Sequence, residues 1–516
     1  MSRTRRAGIA AVFGYLQFAL ALVSGIALVP FVLSRVPTVH YGVWLAFGEV
    51  LAYTSMVDLG VVGVVPWLVA EHDGRGDRAA LRQLVAGGIA FSAGAAVVFA
   101  ALGLAALRAA PALAHLTPAQ HAAVGGPLLL LLLASAASMP FKVFYASLMG
   151  LQDATAAGLL SVTQVLLNVL LTLGLLLGGY GLYALALAAT LPNLVIGAAS
   201  LLRLRRVAPD LLYGWRLPPR ATMRWMVGQG FGGWTAGLGW RLVAASDSIV
   251  ILSVLGPVAA VVYAMTFKVG AVAMQVAWQL PDAGLVGLAQ LKGEQRPERV
   301  REVSLALLRL GLLAAGGVAC AMVAFNPSFV MLWVGRERFG GMALNALLAA
   351  VVLAHTLAHG LFTTSATLGT RVQAGWAVLA QGAVNLAAAL LLGRWLGLAG
   401  IALAAVLSTA LVAYPMGVRM LRTTTGITQG DLWRGVIGPW AVRGGALLLV
   451  GAAVSALGTR RWIWLPLLLL PALASAYLFV MRPLYADIPL PPRVAGWLAR
   501  LGLRAPPRAA GVEADA

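Results

Sequence analysis

Long apolar segments constrain the fold of this chain more than any other feature of its sequence. A membrane-spanning helix needs about 20 consecutive apolar residues. Fourteen segments approach or exceed that length: 8–34, 41–70, 83–108, 119–148, 154–178, 181–202, 223–253, 257–291, 302–325, 339–367, 372–393, 398–420, 434–457 and 462–481. Most connections between them are short, which leaves no room for a large domain outside the membrane. We therefore expect an all-α polytopic membrane protein with about 14 transmembrane helices.

The overall composition excludes a soluble globular domain. Of the 516 residues, 61% are hydrophobic and 10% are charged, and the mean hydropathy is +0.89. Such a chain has too little polar surface to cover a core in water. The single cysteine, Cys320, excludes a disulfide framework within the chain. In a membrane protein, the net charge of +20 indicates topology rather than nucleic-acid binding.

The lysines and arginines predict the orientation of the chain. With fourteen spans, 25 of the 37 basic residues lie on one face, 7 lie on the other, and the remainder lie within spans. Loops rich in Lys and Arg stay in the cytoplasm. The 25-residue face is therefore predicted to be cytoplasmic, and both termini lie on it.

The second half of the sequence repeats features of the first in the same order. Two amides one helical turn apart, Gln164 and Asn168, return as Gln381 and Asn385. Three further pairs of stretches are 58–60 with 282–284, 74–82 with 293–301, and 181–184 with 397–400. Duplicated helical bundles are typical of transporters that move two halves about a central site. We therefore predict two pseudo-symmetric six-helix lobes plus two C-terminal helices.

The repeat and the longest basic loop set the predicted domain boundaries. Residues 1–205 form the first lobe with helices 1–6, and 206–222 form a basic cytoplasmic linker. Residues 223–422 form the second lobe with helices 7–12, and 423–482 hold helices 13 and 14. In the remaining stretch, 483–516, Arg493–Arg504 places its apolar residues on one helical face and its arginines on another, which predicts an interfacial helix before a tail.

Ionisable residues inside the predicted spans are candidates for function, because each costs about 2.5–3.5 kcal/mol on insertion scales. Arg309 and Arg443 lie near cytoplasmic helix ends, where they can reach the headgroups, and Asp282 lies near a helix end where a structural role is favoured. We predict that Arg241, Lys268 and Lys142 bind an anion in a central cleft, and that Asp58, Glu49 and Asp247 are candidates for ion or proton coupling. The alternative that these bases and acids form structural ion pairs stays open.

The remaining motifs favour a transporter over an enzyme. His355 and His359 share one helical face, but no acidic partner or His-Glu-x-x-His pattern accompanies them, so a proton-linked role and interhelical hydrogen bonding are the alternatives. Gly228-x-Gly230-x-x-Gly233 matches a dinucleotide fingerprint only formally, since it enters a membrane helix. We find no catalytic constellation, and we predict neither a metal site nor a cofactor.

The N-terminal part of the chain resembles a known family. The matching residues are Leu33-Ser34-Arg35, Tyr41-Gly42-Val43-Trp44, Val57-Asp58-Leu59-Gly60, Ala70-Glu71 and Gly74-Arg75-Gly76-Asp77. This run resembles the opening of polysaccharide flippases of the O-antigen type, which belong to the multidrug/oligosaccharidyl-lipid/polysaccharide exporter superfamily. In outline the resemblance continues along spans one to twelve.

The resemblance implies a V-shaped pair of lobes in the bacterial inner membrane. It implies alternating access that moves an undecaprenyl-pyrophosphate-linked oligosaccharide to the outer leaflet for surface polysaccharide assembly. The implied partners are this lipid-linked substrate, membrane lipids and glycan polymerase machinery, with no nucleic acid. Relatives use cationic groups in the cleft, and Lys142, Arg241 and Lys268 are the candidates here. Five bases against four acids within the spans depart from a strongly cationic cleft.

Two alternatives remain at this point. Another exporter of the superfamily could be a lipid II flippase or a drug/cation antiporter, and the basic candidates argue modestly against a drug exporter. A membrane glycosyltransferase, glycan polymerase or ligase would need a sizeable outer loop or a set of catalytic carboxylates. The longest predicted outer loop is Asn326–Phe339, and its only carboxylate is Glu337. The sequence therefore favours a flippase and does not support an enzyme.

Overall fold

The structure is a computed structural model, and it describes residues 3–113, 116–212, 218–244, 246–460 and 462–485. All secondary structure in these residues is helical, which confirms the predicted fold class. The predicted interfacial helix Arg493–Arg504 and the tail lie outside the described residues.

The helices of the first half begin and end close to the predicted spans, but two spans are broken into pairs. The first pair is α2 with α3, and the second is α5 with α6. The helices are α1 (Arg3–Arg35), α2 (Thr38–Thr54), α3 (Val61–Gly74), α4 (Arg78–Leu113), α5 (Pro118–Ser138), α6 (Lys142–Gly150), α7 (Ala154–Leu177) and α8 (Leu182–Val207).

The second half contains longer helices and more short ones. Segments with wider helical turns follow α14 and precede α16 and α18. The helices are α9 (Arg220–Ala244), α10 (Ser246–Leu255), α11 (Pro257–Asp282), α12 (Leu285–Gly293), α13 (Pro297–Trp333), α14 (Gly341–Ser365), α15 (Arg371–Ser408), α16 (Tyr414–Thr425), α17 (Gln429–Leu432), α18 (Gly438–Arg460), α19 (Leu465–Leu468), α20 (Leu470–Val480) and α21 (Arg482–Tyr485).

The described residues contain 11 helical stretches that are long and apolar enough to span a membrane, or 12 if the bent pair α2–α3 counts as one span. The chain is therefore a multi-pass membrane protein, and the predicted number of 14 is not confirmed. Two of the predicted spans fall in one stretch, Val372–Thr425, of 54 residues. At 1.5 Å per residue this stretch measures about 80 Å, whereas a hydrocarbon core is about 30 Å thick. The predicted last span is divided between the short helices α19 and α20.

The chain forms two compact units that do not follow a single cut in the sequence. Unit 1 contains Met1–Ala264 and Val378–Ile401, and unit 2 contains Met265–Ala377 and Ala402–Ala516. In unit 1, a core of Val and Leu side chains from α3, α4, α6 and α8 surrounds Val143 and Leu148. In unit 2, a core joins α13, α14, α16 and α18 around Leu361 and Trp440. The six-plus-six division of the sequence remains a prediction.

Left-handed backbone positions recur at corresponding places in the two halves. Gly181 has φ 53° and ψ −128° just before α8, and Gly397 has φ 60° and ψ −141° inside the stretch assigned to α15. Only glycine adopts this combination readily. Gly76 and Gln295 precede α4 and α13, and Gln152 and Gly369 precede α7 and α15, all with positive φ. If the two halves are copies of one another, as the sequence predicts, their turns should recur in this way.

Candidate functional site

The break between α2 and α3 organises the polar interior of unit 1. The two helices meet at 45°, with Leu59 and Gly60 both in the left-handed conformation. A carboxylate oxygen of Asp58 accepts a hydrogen bond of 3.0 Å from the backbone N–H of Gly60. In a bilayer, backbone groups freed by a helix break need partners within the protein. Asp58, predicted as a coupling residue, therefore stabilises the break.

Helix α9 packs directly against this break. A Cβ atom on Gly60 would lie 2.6 Å from the carbonyl oxygen of Gly230, and one on Gly230 would lie 2.6 Å from that of Leu59. The indole N–H of Trp234 donates to the carbonyl oxygen of Met56 at 2.7 Å. Gly230, the middle residue of the glycine motif rejected as a dinucleotide fingerprint, is thus needed for close backbone packing.

A cavity of about 380 Å³ lies beside the break, within unit 1. This volume is within the range of small-molecule sites. Gly48 and Ala52 on α2 leave space there, and Ser55 and Ser135 add hydroxyl groups among apolar walls. The complete lining is Trp44, Leu45, Gly48, Glu49, Leu51, Ala52, Ser55, Phe99, Leu131, Ser135, Met139, Lys142 and Ala189.

Four ionisable side chains gather in and near this cavity, and we call them the charged cluster: Glu49, Asp58, Lys142 and Arg241. Glu49 and Lys142 line the cavity. Arg241 lies close enough to interact electrostatically with both of them, and Asp58 with Lys142. Among the described residues, no member of the cluster forms an ion pair closer than 4 Å, although Glu49 interacts with Arg241, and Asp58 with Lys142, at longer range. Structural pairing and ligand binding both remain predictions for these residues.

A helix interruption positions Lys142, and a hydrogen bond from Tyr53 positions Arg241. Lys142 is the first residue of α6, immediately after the turn that interrupts the predicted span 119–148, and its side chain is exposed. The Tyr53 hydroxyl, one turn beyond Glu49 on α2, donates to the backbone oxygen of Arg241 at 2.5 Å. This hydrogen bond fixes α9 beside α2 and leaves the guanidinium of Arg241 available.

Asp247, the third predicted coupling residue, is part of a different network. It is buried and accepts a hydrogen bond of 2.7 Å from the hydroxyl of Tyr263 on α11. Asn385 on α15 interacts with the same carboxylate, and its amide also lies 3.4 Å from the backbone oxygen of Val243. The structure does not bring Asp247 into the lining of the cavity.

The predicted paired amides hydrogen-bond between helices. In the first half, Gln164 donates to the side chain of Asn193 at 2.5 Å, and Asn168 donates to the backbone oxygen of Ala188 at 2.8 Å. Both bonds join α7 to α8. In the second half, Gln381 and Asn385 are buried. Such bonds hold helices together in an apolar environment.

The remaining basic candidates lie in unit 2. Lys268 is half-buried on α11 and has no ion pair closer than 4 Å with a described residue. Arg309 donates to the backbone oxygen of Gly435 at 2.6 Å, and Arg443 donates to that of Pro439 in its own helix at 3.0 Å. Both arginines thus bind backbone oxygens, and their predicted reach to the headgroups remains a prediction. Within the described ranges, no group of three His, Cys, Asp or Glu residues could hold a metal ion.

Sequence reasoning missed the neutral residues of the site. Phe99, Leu131, Ser135 and Ala189 reach the cavity from three helices that are distant in sequence from α2. Each occurs in an apolar stretch with no local pattern that distinguishes it. Tyr53 could have been found, because it follows Glu49 by four residues and therefore lies on the same helical face.

Comparison with known proteins gives a fold but no sequence family. No family model matches the chain, and no curated protein sequence matches it. The structure titled "Lipid II flippase MurJ, inward closed conformation" is similar with a TM-score of 0.66 and 12% identity, over 93% of this chain and 99% of that one. An inward-facing MATE multidrug resistance transporter of the MOP superfamily is similar with a TM-score of 0.67 and 15% identity, over 83% and 99%.

An outward-facing transporter of the same MATE family is similar with a TM-score of 0.56 and 16% identity, over 82% of this chain and 95% of that one. All three solved structures are a flippase or transporters rather than enzymes. At these identities the similarity concerns the fold. The chain therefore has a fold like that of a lipid II flippase and of MATE multidrug transporters.

Proposed function

We propose that this protein is a flippase that moves an undecaprenyl-pyrophosphate-linked oligosaccharide across the bacterial inner membrane by alternating access, for surface polysaccharide assembly. One observation carries the proposal: Lys142 and Arg241, neither in direct contact with an acidic group among the described residues, lie at or near a cavity inside a bundle with a flippase fold. Ionisable groups within a membrane are costly and are candidates for function.

The chemistry of such a substrate matches these groups. A glycan headgroup cannot cross about 30 Å of hydrocarbon unaided. A hydrated cavity with a cationic wall would accept the headgroup while the lipid tail stays in the bilayer. Arg and Lys bind phosphate oxygens through charge-assisted hydrogen bonds, and the planar Arg group can do so with two parallel bonds. Lys142 and Arg241 are the proposed pyrophosphate ligands, and Lys268 is a further candidate in unit 2.

Glu49 is the proposed coupling residue of the cavity. It interacts electrostatically with Arg241, and its carboxylate lines the same space as Lys142. Binding of a pyrophosphate at Arg241 would place two anionic groups beside one cation. Uptake of a proton or a sodium ion by Glu49 would relieve that repulsion. Asp58 is less suited to this role because one of its oxygens already accepts the N–H of Gly60.

The proposal includes a location and partners. Both termini and the basic loops face the cytoplasm, as the distribution of Lys and Arg predicts. The substrate enters from the cytoplasmic leaflet and leaves in the outer leaflet, where a glycan polymerase can use it. Membrane lipids surround the bundle throughout.

Deletion of the gene tests the proposal, with lipid-linked intermediates as the readout. We expect undecaprenyl-linked repeat units to accumulate with their glycans facing the cytoplasm, inaccessible to an external glycosidase in spheroplasts. Expression of the full chain should restore accessibility. Unpolymerised units that are already outside would contradict the flippase and indicate a polymerase.

An exporter of organic cations or a lipid II flippase is the second candidate. The acidic Glu49 in the cavity favours a cation, and the MATE fold match supports an exporter. Proteoliposomes containing the purified protein distinguish the three substrates. We expect scrambling of lipid-linked oligosaccharide; transport confined to lipid II or to an organic cation would replace the proposal with the corresponding alternative.

A further inference from the structure

Asp282 and His359 form the closest contact between a carboxylate and an imidazole in the described part of unit 2. His359 Nε2 lies 3.0 Å from each of the two carboxylate oxygens of Asp282. Asp282 is the last residue of α11, and His359 lies in the second half of α14. The ring nitrogen therefore faces the carboxylate symmetrically, a geometry that favours a charge-assisted hydrogen bond.

Trp278 adds a second connection between the same two helices. Its ring stacks on that of His359, with centroids 4.3 Å apart and planes inclined by 5°. Its indole N–H donates to the hydroxyl of Thr356 at 2.9 Å. Trp278 and Asp282 are four residues apart on α11, and Thr356 and His359 are three apart on α14, so each pair shares one helical face. The stack places an imidazole on an electron-rich ring face, which attracts a cation more than a neutral group.

Helix α13 packs against the residues next to this pair. A Cβ atom on Gly284 would lie 2.5 Å from the side chain of Leu307, and one on Gly360 would lie 2.8 Å from that of Leu308. A Cβ atom on Gly311 would lie within 4 Å of Pro281 and Thr356. Leu307, Leu308 and Gly311 are thus apolar α13 residues that pack close to this region.

The other ionisable groups on neighbouring elements have different surroundings. Lys292 on α12 donates to the backbone oxygen of Leu368, and Arg309 on α13 donates to that of Gly435. Arg419 and Arg422 on α16 are exposed, whereas His355 lies one turn before His359 on α14 and is buried. On α11, Lys268 precedes Asp282 by 14 residues, or about 21 Å along the helix. Among the described interactions of His359, the carboxylate contact is the one with Asp282.

Asp282 is the more exposed member of the pair. The Asp282 side chain is 37% exposed, whereas that of His359 is 12% exposed. Asp282 also ends α11 at the short turn before α12, so movement of that turn would change the contact. The exposed side of Asp282 is therefore the route by which a proton would reach the less exposed imidazole.

We propose that Asp282 and His359 form a proton-binding site in unit 2 that fastens the end of α11 to α14. A proton from water adds to the neutral imidazole, and the resulting imidazolium is held by the carboxylate on one side and by the face of Trp278 on the other. Histidine is the side chain suited to such a change near neutral pH. Because the proton binds better in the joined arrangement, lower pH shifts the population toward it. As a control of transport by pH, this inference rests on the proposed function.

The fluorescence of Trp278 tests proton binding without any transport. Purified full-length protein and its Trp278→Phe variant are titrated from pH 8 to pH 5, and the difference between their emissions isolates Trp278. We expect one sigmoidal change in this difference. His359→Gln should remove the change, Asp282→Asn should alter it because the carboxylate that contacts the imidazole is lost, and His355→Gln should leave it in place.

Loss of the change in His355→Gln, or its persistence in His359→Gln, would overturn the site. Each variant is first checked for a wild-type melting temperature at pH 8, and histidine NMR resolves the six imidazoles individually if a variant fails that check. Scrambling of lipid-linked oligosaccharide is then measured across the same pH range, where His359→Gln should flatten the pH profile. If the Trp278 fluorescence changes with pH as expected but the protein scrambles no lipid-linked oligosaccharide, the proton-binding site is supported and the flippase proposal is overturned.

Discussion

The ionisable residues within the apolar helices differ in whether they have partners. Asp247 is bound by Tyr263, and Arg309 by a backbone oxygen. Glu49, Lys142 and Arg241 have no ion pair closer than 4 Å in the described part of the chain, and they lie at or near one cavity. A charged group in direct contact with a partner stabilises the fold. A charged group without such a contact keeps its hydrogen-bonding capacity for a ligand.

Removing either cation of the charged cluster should stop transport. We expect Lys142→Ala and Arg241→Ala each to reduce scrambling of lipid-linked oligosaccharide at least about tenfold, since a hydrogen bond to a charged group contributes about 1.5–3 kcal/mol. Lys268→Ala tests the candidate in unit 2. Arg394→Ala, which removes an exposed positive charge, is the matched control and should scramble at the wild-type rate.

Protein level in the membrane is measured for all four variants. Wild-type surface glycan in both Lys142→Ala and Arg241→Ala would exclude the charged cluster as the anion site. An equal loss in Arg394→Ala would show that the assay responds to net charge rather than to the cavity.

At the scale of elements, left-handed residues decide where long apolar stretches turn. Gly181 separates α7 from α8, and the sequence predicted this boundary because glycines surround it. Gly397 has nearly the same φ and ψ within a stretch that is otherwise helical from Arg371 to Ser408. The predicted spans 372–393 and 398–420 are thus separated by a break at Gly397, although α15 is given as one helix across it.

Substitution of Gly397 isolates the effect of this backbone conformation. A Cβ atom there would meet no atom within 4 Å, so Gly397→Ala introduces strain without a clash. We expect a loss of about 1–3 kcal/mol, seen as a lower melting temperature of the purified protein in detergent. Gly174→Ala, in the middle of α7 with equally open space, should be neutral or slightly stabilising. Equal melting temperatures for the two variants would contradict the assignment of strain to Gly397.

At the scale of the whole molecule, hydrophobicity predicted the fold class and most helix positions, because burial in lipid imposes a length and a composition on each span. The free-energy cost of an ionisable side chain within a membrane span also identified Glu49, Lys142 and Arg241 as candidates from the sequence. Their neighbours could not be predicted, since Phe99, Ser135 and Ala189 reach the cavity only through packing of distant helices. The contact of Asp282 with His359 was missed for the same reason: the two residues are 77 positions apart.

The number of membrane crossings depends on the 54-residue stretch Val372–Thr425, and cysteine labelling can determine it. Two crossings place Gln373, near the start of the stretch, and Gln429, just beyond its end, on the same side of the membrane, with Arg394 on the other. All three side chains are exposed. After replacement of the only cysteine by Cys320→Ser, single cysteines are introduced as Gln373→Cys, Arg394→Cys and Gln429→Cys. In spheroplasts, an impermeant thiol reagent should label only the Arg394→Cys variant, and permeabilisation should expose the other two. Labelling of Gln429→Cys but not Gln373→Cys in intact spheroplasts would mean a single crossing, which would refute the predicted topology of two lobes with both termini in the cytoplasm.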